Sequence, residues 1–218
     1  MSEQIHPAFD AANESIDARP LTEQLGSADE LTTLSPIACS TQLTKVHSIG
    51  SLREFVIHYR EEALAPLELR QIYAAYNFAT KNYIRELLAL DEQLAKNATL
   101  EQFEIASRHV GRRQLNRLRA MKDLKLVQRY REAVNEGKAY GWHTLVYGIV
   151  LSTYSLPLRQ GLLHYGRQTL GGFIHSAQRT LDLPEEAVFQ LQYEVNSSLP
   201  KLIDQTIQLN GSAFKLLS

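Results

Sequence analysis

A chain of 218 residues with 23 Lys and Arg against 24 Asp and Glu lacks the domain-wide positive excess of a nucleic-acid binder. Cys39 is its only cysteine, which excludes an internal disulfide and any paired-cysteine zinc pattern and fits a reducing, cytoplasmic setting. No apolar run approaches the ~18 residues of a membrane-spanning helix, and the stretch MSEQIHPAFDAANESIDARP lacks the basic and apolar regions of a secretory signal.

Residues 1–35 carry Glu3, Asp10, Glu14, Asp17, Glu23, Asp29 and Glu30 against the single base Arg19. Their sparse, aperiodic apolar residues bury too little surface to offset the entropy of ordering. The segment therefore reads as a disordered acidic tail, either an arm that orders against a basic partner or a solubilising extension.

From residue 50 onward the punctuation is helical. Ser51-x-x-Glu54 and Thr99-x-x-Gln102 have capping-box spacing. Pro66, Pro157, Pro184 and Pro200 sit where first helical turns would begin, a position that tolerates the missing N–H. Gly137 and Gly211 fit as C-terminal stops. These signals predict helices over 51–63, 66–94, 99–121, 124–136, 142–154, 157–181, 184–196 and 199–209. Neither an alternating strand pattern nor a hairpin turn dipeptide stands out. The expectation is one all-α, bundle-like domain of seven to eight helices over 36–218, with a flexible N-terminal arm.

Residues 106–121, ASRHVGRRQLNRLRAM, hold five arginines and no acid. On a helical wheel, Leu100, Phe103, Val110, Leu115, Leu118 and Met121 form an apolar stripe with Ser107 and Gly111 in its middle. Glycine inside a helix costs about 0.8–1 kcal/mol relative to alanine, so Gly111 on that stripe points to close approach of a neighbouring helix. Arg108, Arg112 and Arg119 lie on one flank, Arg113 and Arg117 on the other. Residues 108–131 carry nine Lys and Arg against Asp123 alone, and the pairs Arg108/Arg112 and Arg113/Arg117 repel at i,i+4 spacing. The counter-charge has two candidate sources. One is Glu86, Asp91, Glu92, Glu101 and Glu104 of the same chain; the other is an acidic partner surface.

The remaining motifs are weaker. His164 and His175 share a face of helix 157–181 with Arg167, Gln168 and Gln178, but eleven residues of helix separate them by ~16 Å, too far to chelate one ion. HExxH, GxSxG, Walker A and GxGxxG are all missing from the sequence. Gly171-Gly172 lies within a predicted helix, beside a wide apolar arc of Leu158, Leu162, Leu170, Phe173, Ile174 and Ala177, and Gly172 is expected to permit tight packing.

Four stretches, in order, resemble the urease accessory protein F (UreF) family. VHSIGSLREFVIHY resembles its early helix. EIASRHVGRRQLNRLRAM resembles its Gly-Arg-Arg helix. WHTLVYGIVLSTYSLPLRQGLLHY resembles its His-x-x-x-(Phe/Tyr)-Gly helix and the helix after it. GFIHSAQRTLDLPEEAVFQL stands in place of its Arg-x-x-Pro-Leu-(Gly/Ser)-Gln region. Gly111, Arg112, His143, Tyr147, Gly148 and Arg179 match residue by residue, and the resemblance spans about 46 to 210. The family's N-terminal glycine-rich signature has only a truncated counterpart in LSPIACSTQLTKVHSIG, with Lys45-Val46 leading into the first helix, and its Pro-Leu-Gly-Gln turn is replaced by Leu-Asp-Leu-Pro at 181–184.

The resemblance implies a non-enzymatic helical protein, a homodimer within a larger assembly. It implies binding to the urease accessory protein called D or H and to a nickel-carrying GTPase called G, and through them action on urease. Nickel is then handled by the complex, with no intrinsic cofactor or metal site. Arg108, Arg112, Arg113, Arg117, His143, Tyr147 and Arg179 are the expected partner-binding residues, and Gly111, Gly148 and Gly172 the packing residues. The altered signature keeps open a divergent adaptor that retains the fold without nickel delivery. A third reading is a small ligand-binder or enzyme using the His164, Arg167 and His175 face.

Overall fold

The structure is a computed structural model that describes residues 46–96 and 104–215. The expected acidic tail, most of the signature counterpart and the Thr99 capping box lie outside the described residues. Among those described, every regular element is helical. In chain order they are α1 (Ile49–Tyr59), a π-helical segment (Arg60–Glu68), α2 (Leu69–Thr80), α3 (Ile84–Ala95), α4 (Glu104–Arg117) with a 3-10 turn (Leu118–Ala120), α5 (Lys125–Asn135), α6 (His143–Thr153), α7 (Leu158–Leu181) and α8 (Glu185–Lys215).

Several predicted boundaries move, each for a local reason. The first capping box belongs to Ser48: its hydroxyl accepts from the Ser51 N–H at 3.2 Å, and the Ser51 hydroxyl accepts from the Ser48 N–H at 3.0 Å. Pro66 does not begin a helix. The chain runs on from α1 into α2 through the π-helical segment that contains it, where a wider turn takes up the missing N–H and the ring. The predicted helix 66–94 breaks after Thr80, at Asn82, whose φ of 57° is left-handed. Asparagine is among the few residues that adopt this conformation readily.

Pro200 and Gly211 do not divide the C-terminal region either, because α8 is continuous through both. Near Pro200, the Ser197 and Ser198 hydroxyls donate to the carbonyls of Glu194 and Val195 at 2.8 Å. By contrast, Gly137 stands two residues past the end of α5 with φ +73°, the left-handed C-terminal stop expected of it.

The core centres on α6, which is buried without interruption from His143 to Leu151. Its most extensive packing is against α2, and Gly148 sets the separation. A Cβ there would stand 2.6 Å from the Ile72 carbonyl oxygen and 2.8 Å from the Ala75 Cβ. Phe173 of α7 meets Phe55 and Tyr59 of α1 edge-on at 5.1 and 4.9 Å. Each such side chain contributes about 1.5–3 kcal/mol through burial.

The connection between α5 and α6 is fixed by one buried carboxylate. Asp91 of α3 accepts the Tyr130 hydroxyl at 2.5 Å and the N–H groups of Tyr140 and Gly141 at 2.6 and 3.0 Å. Its own carbonyl accepts the Trp142 indole N–H at 3.2 Å. This staple delivers residues 140–143 to the surface of α4. There a Cβ on Gly111 would lie 1.9 Å from the Gly141 carbonyl oxygen. The packing reading of Gly111 thus has a specific neighbour, a backbone turn in place of a helix.

Candidate functional site

Helix α4 turns Ser107, Val110, Gly111, Gln114 and Leu115 inward and leaves Arg112, Arg113 and Arg117 exposed, with Arg119 following on the 3-10 turn. Arg108 is half-buried and satisfied within the chain. Its guanidinium pairs with Glu104 at 2.6 Å and lies 5.3 Å from the centre of the Tyr140 ring. Of the other acids proposed as counter-charges, Asp91 is turned inward to its staple, Glu92 pairs with Lys96 at 2.8 Å, and Glu101 lies outside the described residues. Among the described residues, no carboxylate comes within ion-pair distance of Arg112, Arg117, Arg119, Lys122 or Lys125.

Where α4 ends, the 3-10 turn and the start of α5 enclose an open depression of about 750 Å³ lined by Asn116, Arg117, Arg119, Lys122, Gln128 and Arg131. Its wall is pre-set. Arg131 donates to the Gln128 side-chain oxygen at 2.8 Å, and the Gln128 amide donates to the Met121 carbonyl at 2.8 Å. The Arg131 Nε is buried and has no hydrogen-bond partner among the described residues. Four cations around one concavity, one of them held by Gln128, are chemically suited to carboxylates or other anions.

His143 and Tyr147, expected to touch partners, are not on this face. They are 4% and 0% exposed, within the core around α6. Tyr147 donates to the Gly161 carbonyl at 3.0 Å, tying α6 to α7. Arg179 is exposed on the last turn of α7 and does not line the depression. Gly172 is buried on α7.

His143 belongs instead to an internal chain of polar groups that the sequence reading missed. The Ser107 hydroxyl accepts the His143 backbone N–H at 3.1 Å, and the same oxygen is 2.9 Å from Nδ1. His143 Nε2 lies 3.0 Å from the Tyr165 hydroxyl. That hydroxyl stands beside the Glu68 carboxyl, whose Oε2 accepts the Tyr59 hydroxyl at 2.5 Å. The Ser107 oxygen and the Tyr165 hydroxyl thus flank the two ring nitrogens of His143, and the tautomer of the imidazole sets which group donates at each.

Burial pushes the Glu68 carboxyl up to about 7, against the opposing pull of the Tyr59 and Tyr165 hydroxyls. Burial also pushes the His143 imidazole down to about 3. The chain thus links α4, α6, α7 and the π-helical segment through neutral groups around one titrating acid. Ser107 in the middle of an apolar stripe was its visible sign. The spacing between its members carries no motif.

The His164, Arg167 and His175 face does not form a single site. His164 is buried, and desolvation followed by the nearby Arg167 charge pushes it down to about 4. His175 is exposed and lies 3.0 Å from the Gln192 amide. Among the described residues, no group of three or more His, Cys, Asp or Glu is placed to hold a metal ion. None of the helices described is long and apolar enough to cross a membrane.

In comparison with known families, the family model described as UreF matches residues 46–196. The match starts at the lead-in to α1 and ends within α8, so it contains the depression, the internal polar chain and the Asp91 staple.

Proposed function

Because the chain belongs to the UreF family, whose members have an accessory role in urease maturation, we propose that it acts as a non-catalytic scaffold or regulator in the complex that delivers nickel to urease. Its partners in this reading are the accessory protein D or H, the nickel-carrying GTPase G and, through them, urease. The chain works as a homodimer in the cytoplasm, and nickel is cargo of the complex with no resident cofactor on this protein.

The observation that carries the reading is the exposed cationic surface of α4 and the turn after it, where the described residues place no carboxylate within ion-pair distance of Arg112, Arg117, Arg119, Lys122 or Lys125. Such a face is suited to an acidic protein surface. Base-stacking aromatics, which single-stranded nucleic acid would call for, do not line its depression. Complementary charge speeds encounter and selects the partner more than it adds affinity, which suits a protein that must exchange partners during metal transfer.

The experiment is a pull-down of the tagged full chain from a urease-positive host, with and without nickel and GTP. Recovery of the D or H protein, the GTPase and urease subunits supports the scaffold. Recovery of other proteins with none of these points to the divergent adaptor and contradicts it.

A further inference from the structure

The near-neutral charge of the whole chain conceals a polarity along it. Residues 1–35 carry seven carboxylates and one arginine, which leaves residues 36–218 with 22 Lys and Arg against 17 Asp and Glu. The basic excess is concentrated at 108–131. There the structure shows a concavity ringed by Arg117, Arg119, Lys122 and Arg131, with the Arg131 Nε buried and unbonded among the described residues. Forty-five residues precede Val46, and a chain of that length can span up to about 150 Å. A domain of this size has a radius of gyration of only about 15 Å. Reach is therefore no obstacle.

We propose that the acidic N-terminal segment of the same chain docks its carboxylates in the cationic depression between α4 and α5, covering that face until an acidic partner displaces it. The geometry suits carboxylates. Arg131 is oriented by Gln128, Arg117 and Arg119 are exposed at the rim, and exposed guanidinium groups take carboxylates through paired N–H donors. The surrounding like charges repel one another when uncovered, which favours occupancy by any local anion, and the tethered segment is the anion held at high effective concentration. The contact is electrostatic and exposed, so it is weak enough to be displaced and weakens with salt, the screening length falling to about 3 Å at 1 M. The consequence is competition between the chain's own tail and its partner for one surface.

The test needs no partner protein, so its failure leaves the urease reading standing. Full-length protein, half of it isotopically labelled, is treated with a zero-length carboxyl-to-amine cross-linker and mapped by mass spectrometry. The pairs Glu92–Lys96 and Glu136–Lys138, 2.8 and 2.6 Å apart, serve as internal positive controls. The expected result is linkage of acids in residues 1–35 to Lys122 and Lys125 within one chain, lost at about 1 M salt. Control links without these links overturn the proposal, as do links only between differently labelled chains.

A second full-length variant replaces the seven acids of residues 1–35 with Asn or Gln. It should bind a fluorescent poly-glutamate peptide about ten-fold more tightly than the unmodified chain. Equal affinity of the two proteins, or binding of tripolyphosphate with none of poly-glutamate, overturns it.

Discussion

The Gly141 carbonyl oxygen stands 1.9 Å from where a Cβ on Gly111 would project. That one distance joins the basic helix to the turn that launches the central helix. It also reverses a simple helix-propensity argument. Alanine is favoured over glycine in a helix by about 1 kcal/mol, yet here the methyl group would overlap a backbone oxygen that Asp91 holds in place. Gly111→Ala is expected to destabilise by about 1–3 kcal/mol, the usual cost of overpacking a well-filled interior. Urea denaturation settles the sign, and a more stable variant would contradict the packing account.

Gly171 provides the opposite case on α7. The nearest atom to an added Cβ is the Gln192 amide nitrogen at 3.9 Å, an ordinary contact. Gly171→Ala should therefore stabilise by about 0.5–1 kcal/mol through helix propensity alone. Comparison of the two variants by denaturation midpoint separates steric from intrinsic effects on the same fold.

Much of the fold could be read from the sequence because apolar stripes and stop signals are local. The ranges for α5, α6 and α7 lie within about a residue of those expected. The errors fall where tertiary packing outweighed a local signal. Pro66 and Pro200 are tolerated inside helices whose neighbours hold them, and α8 passes through Gly211 as well. Asn82 stops a helix without the glycine or proline that would have announced it.

For the site, the basic face was legible as charge. The burial of His143 and Tyr147 could not be read from the motif they match, because a matching motif does not say which way a helix faces. The helix that bears them is buried on all sides through nine residues. The chain from Ser107 to Glu68 draws on four helical segments, and spacing along the sequence cannot reveal such convergence.

Glu68 should make stability depend on pH with a definite sign. Its carboxyl titrates at about 7 in the fold against 4.5 unperturbed, so between these values the folded state holds a proton that the unfolded state has released. Stability from this group is full below about 4.5 and is lost as pH rises through 7, amounting to about 3 kcal/mol. Glu68→Gln keeps a hydrogen-bonding oxygen for Tyr59 and removes the titration. Relative to the unmodified chain, the variant should gain about 3 kcal/mol in urea unfolding between pH 4.5 and pH 8. A difference that does not change with pH would contradict this assignment.

His143 acts in the other direction. Its imidazole is held down to about 3, so below its ordinary range near 6.5 the unfolded state takes up a proton that the folded state refuses. Its contribution is present above about 6.5 and is lost as pH falls toward 3. The acid limb of the stability curve should therefore flatten in His143→Gln, measured against the unmodified protein over pH 3–6.5. An acid limb as steep as before would argue against it.

Asp91→Ala would leave the Tyr130 hydroxyl and the Tyr140 and Gly141 N–H groups without their acceptor. At about 1–3 kcal/mol for each unsatisfied buried donor, the loss should be about 3 kcal/mol or more. Asp91→Asn retains one carbonyl oxygen and should cost less. Both are read by urea denaturation, with amide exchange at Tyr140 and Gly141 reporting release of the turn. Unchanged exchange at both amides would show that the turn does not depend on this carboxylate.

The central claim is that the exposed cationic face of α4 is where other proteins take hold. The most direct measurement compares, in one urease-positive lysate, partner recovery on the unmodified chain, on Arg112→Glu/Arg117→Glu and on the charge-matched control Arg70→Glu/Lys201→Glu, with helicity checked by circular dichroism. The account predicts that only the α4 variant loses the accessory partners while all three remain equally helical. Full recovery on the α4 variant, or equal loss on the control, would contradict it.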